Sequence, residues 1–204
     1  MKNNSIYYSV GALLYSPADK KELAEYIISE KFGSKYSLAL CLEDTINDNF
    51  VKEAEMQLII TINNIYNALQ TNKAFFLPKI FIRVRNSEQI IYLDKQLGES
   101  SEIITGYIIP KFCIENADIY IEEIQKLNSI HNHTKYFMPI YENDSIVNLK
   151  HRYDNLYTLK DKLDLAEKYV LNIRVGGNDL SHLFGFRREC NESIHQISPI
   201  ANIF

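Results

Sequence analysis

The chain has 204 residues, of which 46% are hydrophobic and 24% charged, a composition that predicts a packed globular protein and excludes general disorder. The formal net charge of −4 argues against a broad electrostatic interaction with nucleic acid or an anionic membrane, and it favours a small-molecule ligand or a protein partner. We recognise no export signal, no apolar segment of ~18 residues and no cysteine framework, so a cytoplasmic protein is expected.

Short apolar runs alternate with amphipathic segments along the whole chain. Six runs predict strands, at residues 8–15, 37–42, 79–84, 103–109, 135–141 and 169–175. The segments between them predict helices, at residues 18–31, 50–70, 87–97, 114–129 and 145–168. Because the strands are apolar on both faces, they indicate a parallel sheet covered by helices.

In the last predicted helix, apolar residues mostly three or four apart are expected to form one buried stripe: Leu149, Tyr153, Leu156, Leu159, Leu163 and Ala166. The alternation of strands and helices leaves two architectures, an open doubly wound sheet or a closed (β/α)₈ barrel. No G-x-G-x-x-G motif follows the first strand, so a dinucleotide-binding fingerprint is absent.

Polar residues follow nearly every predicted strand, and in both architectures the functional site lies at the carboxyl ends of the strands. Acids follow strands two, five and six and bases follow strands three and four: Glu43, Asp44, Glu142 and Asp179 against Arg83, Arg85 and Lys111. Any one of them is as readily a solvated loop residue or a helix cap, and Asp44 is a candidate cap for a helix near Asp48. Their sorting by charge predicts a site in which carboxylates such as Glu142 and Asp179 hold Mg²⁺.

Six motifs also occur in a recognisable order. They are the segment 11–19 with Pro-Ala-Asp, Leu-Glu-Asp-Thr-Ile at 42–46, Ile-Arg-Val at 82–84, Gly-Tyr-Ile-Ile-Pro-Lys at 106–111, Met-Pro-Ile-Tyr-Glu at 138–142 and Gly-Gly-Asn-Asp-Leu at 176–180. In this order they resemble the HpcH/HpaI aldolase and citrate lyase superfamily, which includes the citrate lyase beta subunit. The resemblance implies a TIM barrel that cleaves or forms a carbon–carbon bond next to a carbonyl, with Mg²⁺ or Mn²⁺ as cofactor.

The resemblance also implies a role for each polar residue after the strands. Glu142 and Asp179 would be the metal ligands, and Arg83 would face the developing enolate or the substrate carboxylate. Glu43 and Asp44 would orient water or Arg83. The expected substrate is a 2-oxo acid, a hydroxy acid or an acyl-thioester, whose carbonyl becomes an electron sink when a cation polarises it.

Backbone N–H groups at Gly177 and Asn178 are candidate contacts to an anionic part of that substrate. Two departures weigh against acyl-CoA or citryl substrates: Gly11 replaces an arginine of the citrate lyase subunits, and Arg85 stands near an expected asparagine. The segment 184–188 resembles a branch of the superfamily associated with bacterial tellurium-resistance and stress gene clusters. The alternative function is therefore a non-catalytic metal- or metabolite-binding barrel in a stress-response assembly.

Lys111 offers a second chemistry, because a lysine that is buried among apolar neighbours has a lowered pKa and can form a Schiff base. Pairing of Lys111 with Glu43 or Asp44 is the reading that we favour. Cys113 has no histidine nearby in the sequence, so buried packing is expected for it and not nucleophilic chemistry.

The histidines and the terminal arginines have open roles. His131 and His133 precede the fifth strand and are expected in a surface loop at the opposite end of the barrel. His182 follows Asp179 and is a candidate acid or base. The pair Arg187 and Arg188 either binds an anionic substrate tail or forms a solvated surface.

Six strand–helix units are fewer than a (β/α)₈ barrel requires, since that fold typically needs ~250 residues. We therefore expect one barrel domain over residues 1–204 that is shortened at its C-terminal end and lacks the last strands. An unpaired hydrophobic edge promotes association, so a partner chain is expected to cover it, most simply in a homo-oligomer.

Overall fold

Six parallel strands form one sheet in the computed structural model, which describes residues 5–71, 74–185, 189–193 and 196. The strands are β1 (Ala12–Pro17), β2 (Tyr36–Cys41), β3 (Lys79–Arg83), β4 (Ile104–Ile109), β5 (Tyr136–Tyr141) and β6 (Arg174–Val175). They are adjacent in chain order, as in a (β/α) barrel, whereas the strand order of a doubly wound sheet reverses. The sheet curls into an open half-barrel, which confirms the prediction of an incomplete TIM-type barrel.

Helices connect the strands and pack against one another around the outside of the sheet. They are α1 (Leu23–Ile28), α2 (Val51–Gln70), α3 (Glu88–Leu97), α4 (Ile114–Ile130), α5 (Arg152–Asp164) and α6 (Gly177–Leu183). Short 3₁₀ turns occur at Ser5–Tyr7, Asp48–Phe50, Gly98–Ile103 and Asp144–Ile146. Within the described part of the chain, none of the helices has the length and apolarity that crossing a membrane requires.

Each central strand is buried on both faces because successive side chains point to opposite sides of the sheet. The outer face packs against the helices, as Leu40 and Ile82 do. The inner face carries a second apolar layer, made of Val10, Ala39, Phe81, Ile108, Met138, Ile140 and Leu171. This inner layer is the floor of the half-barrel, and it accounts for the continuous apolar runs in the sequence.

The edge strand β1 differs from the prediction. It begins at Ala12, not at residue 8, because a 3₁₀ turn at Ser5–Tyr7 precedes it and Gly11 takes a left-handed φ of +59°. Among the described strands, β2 alone pairs with β1, and most β1 side chains are at least partly exposed. Burial on both faces was therefore a wrong expectation for this strand.

The last strand and the helix before it also differ from the prediction. Only Arg174–Val175 forms the ladder of β6, and the earlier part of the run makes an isolated bridge at Val170. Helix α5 begins at Arg152, not at residue 145, because the Arg152 guanidinium donates hydrogen bonds to the carbonyls of Ile146 and Val147 and holds a turn there.

This later start changes which side chains of the predicted stripe are buried. Leu159, Leu163 and Ala166 are buried as expected. Leu149 precedes the helix and is 75% exposed, and Tyr153 in its first turn is 69% exposed. The expectation was therefore wrong for Leu149 and Tyr153, whereas Leu156 packs against the core and is partly buried.

Candidate functional site

The carboxyl ends of the strands bring the predicted site residues together. Parallel pairing aligns Cys41 with Arg83 and Ile109 with Pro139, so the residues that follow these strands lie on one rim of the half-barrel. The rim carries Glu43 and Asp44 after β2, Arg83 at the end of β3, Lys111 after β4, Glu142 after β5 and Asp179 in the first turn of α6.

Arg83 is the centre of this rim and is only 8% exposed. Its Nη2 lies 2.6 Å from Glu43 Oε2, 2.7 Å from Asp44 Oδ2 and 3.5 Å from Glu142 Oε1. Burial alone would lower the pKa of Arg83, but the three carboxylates outweigh burial and raise it. Arg83 is therefore a fixed cation, as electrostatic stabilisation of a developing negative charge requires.

Glu43 joins Arg83 to Lys111. Its second oxygen, Oε1, accepts a hydrogen bond of 2.9 Å from Lys111 Nζ. This bond raises the pKa of Lys111, whose side chain is 57% exposed. A Schiff base was expected to need a buried lysine with a lowered pKa, and Lys111 has neither property. The favoured reading, an ion pair with Glu43, is the observed one.

Glu142 lies on the inner side of the rim and is only 5% exposed. Its Oε1 accepts a hydrogen bond of 3.0 Å from the backbone N–H of Lys111. Lys111 has a left-handed φ of +49°, a conformation that costs energy in a non-glycine residue and that here directs its N–H towards Glu142. Burial, together with the nearby Asp179 carboxylate, raises the pKa of Glu142 to about 7.

Asp179 faces Glu142 from the first turn of α6. Its Oδ2 is buried and has no hydrogen-bond partner among the described residues. The space beside these carboxylates depends on Gly176, because a Cβ there would come within 1.9 Å of Glu142 Oε2. The two side chains therefore form a carboxylate pair that the fold leaves open at one oxygen.

The donor set fits a hard divalent cation. Within the described ranges, no group of three or more His, Cys, Asp or Glu side chains is arranged to hold a metal, so a zinc-type site is not present there. Mg²⁺ instead needs one or two carboxylates, with water and substrate in its other positions. When ionised, the four carboxylates of the rim exceed the two cations, Arg83 and Lys111, by two charges, which is the charge of such a cation.

Two cavities open beside this pair. One of about 230 Å³ is lined by Asp44, Arg83, Glu142, Gly176, Gly177, Asn178 and Asp179. The other, of about 310 Å³, is lined by Lys111, Glu142, Asn143, Asp144, Asp179, His182 and Leu183. Both cavities share Glu142 and Asp179, so a small molecule in either one would contact the carboxylate pair. The predicted substrate-binding residues Gly177 and Asn178 line the first cavity.

The remaining predictions for single residues have different outcomes. Cys113 is buried at the start of α4, and burial raises the pKa of its thiol. His131 and His133 lie in the loop between α4 and β5, as expected, and His131 Nε2 lies 2.8 Å from Asp94 Oδ1. Asp44 does not cap the turn at Asp48–Phe50, since the Asn47 side chain does so. The arginines at 187 and 188 lie outside the described residues.

Arg85 contributes to the site in a way that sequence reasoning missed. Its Nε donates to Leu42 O at 2.7 Å, and its Nη2 donates to Glu43 O at 3.2 Å and to Ile46 O at 2.5 Å. Its Nη1 lies 2.6 Å from Asp48 Oδ1. Arg85 therefore holds the loop that carries the acidic residues after β2. All four contacts end on the loop at residues 42–48, and only the folded chain reveals them.

The structure is thus an open (β/α) barrel whose carboxyl rim carries acidic residues around one buried arginine, which is the architecture of a barrel with a charged site at the usual end. The chain belongs to the family described as "C-C_Bond_Lyase of the TIM-Barrel fold", whose model matches residues 4–204. This match confirms the resemblance to the aldolase and citrate lyase superfamily. No curated protein matches the chain by sequence.

Several solved structures are similar in fold. One is the citrate lyase beta subunit of M. tuberculosis, complexed with oxaloacetate and magnesium, which is 13% identical with a TM-score of 0.49. The match covers 98% of this chain and 76% of the chain of that protein. Another is CitE of M. tuberculosis, in complex with magnesium, acetoacetate and coenzyme A, which is 15% identical with a TM-score of 0.48. That match covers 97% of this chain and 62% of the CitE chain.

Proposed function

We propose that this chain is a divalent-metal-dependent carbon–carbon bond lyase that acts on a small carboxylic acid, either a 2-oxo or a hydroxy acid, or its acyl-thioester. The observation that carries the proposal is the open carboxylate pair of Glu142 and Asp179 next to Arg83. Membership of the carbon–carbon bond lyase family supports the reaction class. Glu142 and Asp179 would hold Mg²⁺, with Mn²⁺ as the alternative ion.

The proposal assigns the charge chemistry to Arg83. When a carbon–carbon bond next to a carbonyl breaks, its electron pair moves towards the carbonyl oxygen, which becomes negative. A bound divalent cation would polarise that carbonyl. Arg83 lines the same cavity and keeps its positive charge, so it would stabilise the oxygen from the other side.

The neighbouring residues would orient Arg83 and move the proton. Glu43 bonds both Arg83 and Lys111, and it fixes the plane of the guanidinium. Asp44 lines the cavity, and burial together with Glu43 raises its pKa to about 6. A carboxyl group with a pKa near neutrality suits proton transfer to or from a substrate hydroxyl. Gly177 and Asn178 would contact the substrate's anionic part.

Turnover of a panel of substrates tests the proposal. The panel contains 2-oxo acids, hydroxy acids and malyl-like and citryl-like thioesters, each measured with Mg²⁺ and with EDTA. We expect cleavage of one class that EDTA abolishes and that Glu142→Gln and Asp179→Asn reduce by about 10²-fold or more. Glu115→Gln, an exposed carboxylate in the first turn of α4, is the matched control and should leave turnover unchanged.

The non-catalytic alternative gives a different result in the same experiment. A binding barrel of a stress-response assembly would retain the metal or a metabolite and would turn over no member of the panel. That result, with Mg²⁺ binding intact, would replace the lyase proposal by the binding proposal. Borohydride trapping in the presence of pyruvate would detect a Schiff base at Lys111, and we expect no adduct.

A further inference from the structure

Arg174 is an inward-facing arginine that has no carboxylate partner among the residues that the structure describes. In the parallel ladder it pairs with Ile140, which belongs to the inner apolar layer, so its side chain points into the half-barrel. No described carboxylate forms an ion pair with it, whereas Arg83 and Arg85 both have acidic partners. Arg174 is half-buried, and a partly desolvated guanidinium attracts an anion more strongly than one that is fully exposed to water.

Among the described residues, the ring of Tyr15 contacts the Arg174 side chain. The guanidinium carbon lies 5.7 Å from the ring centroid, within the range of a cation–π interaction. Tyr15 belongs to β1 and Arg174 to β6, the two opposite edges of the sheet. The contact therefore spans the interior of the half-barrel and holds the arginine there.

Arg174 lies next to the candidate site. It is two residues before Gly176, which lines the cavity together with Arg83 and Glu142. Tyr15 is half-buried, and both Arg174 and Arg83 lower its pKa against the larger effect of burial, so both arginines lie near this phenol. Three carboxylates already compensate the charge of Arg83. Within the described part of the chain, Arg174 is a cation near the cavity that no carboxylate compensates.

We propose that Arg174, held against Tyr15, binds a second carboxylate of the substrate at the end away from the metal, and so selects dicarboxylic over monocarboxylic acids. This inference rests on the proposed function, because it places one end of the acid at Glu142 and Asp179. The planar guanidinium can donate two parallel hydrogen bonds to a carboxylate, and its cation–π contact with Tyr15 occupies none of its N–H groups.

Calorimetric binding of matched acids tests this inference. Pyruvate, oxaloacetate and 2-oxoglutarate share the 2-oxo acid end, and only the last two carry a second carboxylate. We expect wild-type protein with Mg²⁺ to bind a dicarboxylate at least about tenfold more tightly than pyruvate. Arg174→Gln should remove that preference and leave pyruvate affinity within about twofold, while Arg174→Lys should recover part of it.

Lys168→Gln is the matched control, because Lys168 also stacks on a tyrosine ring, Tyr169, but is exposed. This control should keep the preference. A preference that Arg174→Gln leaves unchanged, or a wild-type protein that binds no dicarboxylate, overturns the role of Arg174. Failure of the proposed function gives a different result. Dicarboxylates, including malonate and succinate, would then bind through Arg174 equally well in the presence of EDTA, and the protein would cleave no acid.

Discussion

Arg83 and Glu43 form the closest ion pair of the candidate site, with 2.6 Å between Nη2 and Oε2 and only about a tenth of each side chain exposed. Because Glu43 also bonds Lys111, the pair fixes the orientation of the guanidinium towards the cavity. A buried charge pair of this kind contributes little net stability, but the loss of one partner is costly. The pair is therefore a sensitive place to test the account.

Arg83→Met should lower the free energy of unfolding by about 3–5 kcal/mol at pH 8, because Glu43 and Glu142 remain buried without their cation. At pH 5 the loss should be smaller, since the stranded carboxylates can take up protons. Urea denaturation at both pH values measures this difference. Arg83→Lys, which keeps the charge, is the control. A loss below about 1 kcal/mol at pH 8 would show that the pair is solvated.

Gly176→Ala should weaken Mg²⁺ binding by about tenfold or more. The new Cβ would lie 1.9 Å from Glu142 Oε2 and 2.5 Å from Glu142 Cβ, so the Glu142 side chain must move. Calorimetric titration with Mg²⁺ measures the effect, and Leu165→Ala, a change at a position that is 76% exposed and away from both cavities, is the control. Unchanged affinity in Gly176→Ala would mean that Glu142 is not a ligand.

Arg85→Gln should loosen the loop after β2 without unfolding the protein, because Leu42, Glu43 and Ile46 lose the guanidinium that bonds their carbonyls. We expect hydrogen exchange of the amides at 43–48 to accelerate by about tenfold, and turnover to fall with little change in Mg²⁺ affinity. Lys52 and Arg85 line one groove between α2 and α3, so Lys52→Gln is the control. Exchange at the wild-type rate in this loop would contradict a positioning role for Arg85.

The burial of Lys135 predicts that the free energy of unfolding depends on pH, independently of the candidate functional site. It is fully buried, its Nζ donates to the carbonyls of Ser101 and Ile104, and burial lowers its pKa from 10.5 to about 8. Between pH 8 and 10.5 the unfolded chain keeps the proton that the folded chain has released. The free energy of unfolding should therefore rise with pH across this interval, by about 3 kcal/mol at most.

Lys135→Met removes this titration, so the difference between wild type and variant isolates it from the tyrosines and cysteines that also titrate there. Urea denaturation at pH 7.5, 9 and 10 measures both proteins. We expect the free energy of unfolding of the wild type to increase relative to that of the variant as the pH rises. A constant difference would show that Lys135 has the same pKa in the folded and unfolded chains.

The sequence predicted the sheet and the membership of the rim, because both follow from the period of the apolar runs and from the shared direction of parallel strands. Glu142 and Asp179 are 37 positions apart, yet both follow strand ends and therefore meet. The start of α5 was not predictable in this way, since it depends on the Arg152 hydrogen bonds to a preceding turn. Those bonds end on backbone carbonyls, which leave no signal in residue spacing.

Side-chain direction was the other limit. Arg174 was counted within an apolar run, and only its pairing with Ile140 shows that it points inward. Arg85 was interpreted as a departure from the family pattern, but its guanidinium donates hydrogen bonds that hold the loop at Glu43 in place. The protonation of Lys111 likewise depended on which carboxylate lies within reach of its amine, a distance that the sequence does not contain.

Calorimetric titration of Mg²⁺ into the wild-type protein and into Asp179→Asn tests the central claim most directly. The claim is that Glu142 and the unpaired Oδ2 of Asp179 hold one divalent cation. We predict one Mg²⁺ per chain, with proton release near pH 7 as the Glu142 carboxyl ionises, and at least about tenfold weaker binding in Asp179→Asn. Equal Mg²⁺ affinity in the two proteins, or no binding to the wild type, would contradict the account.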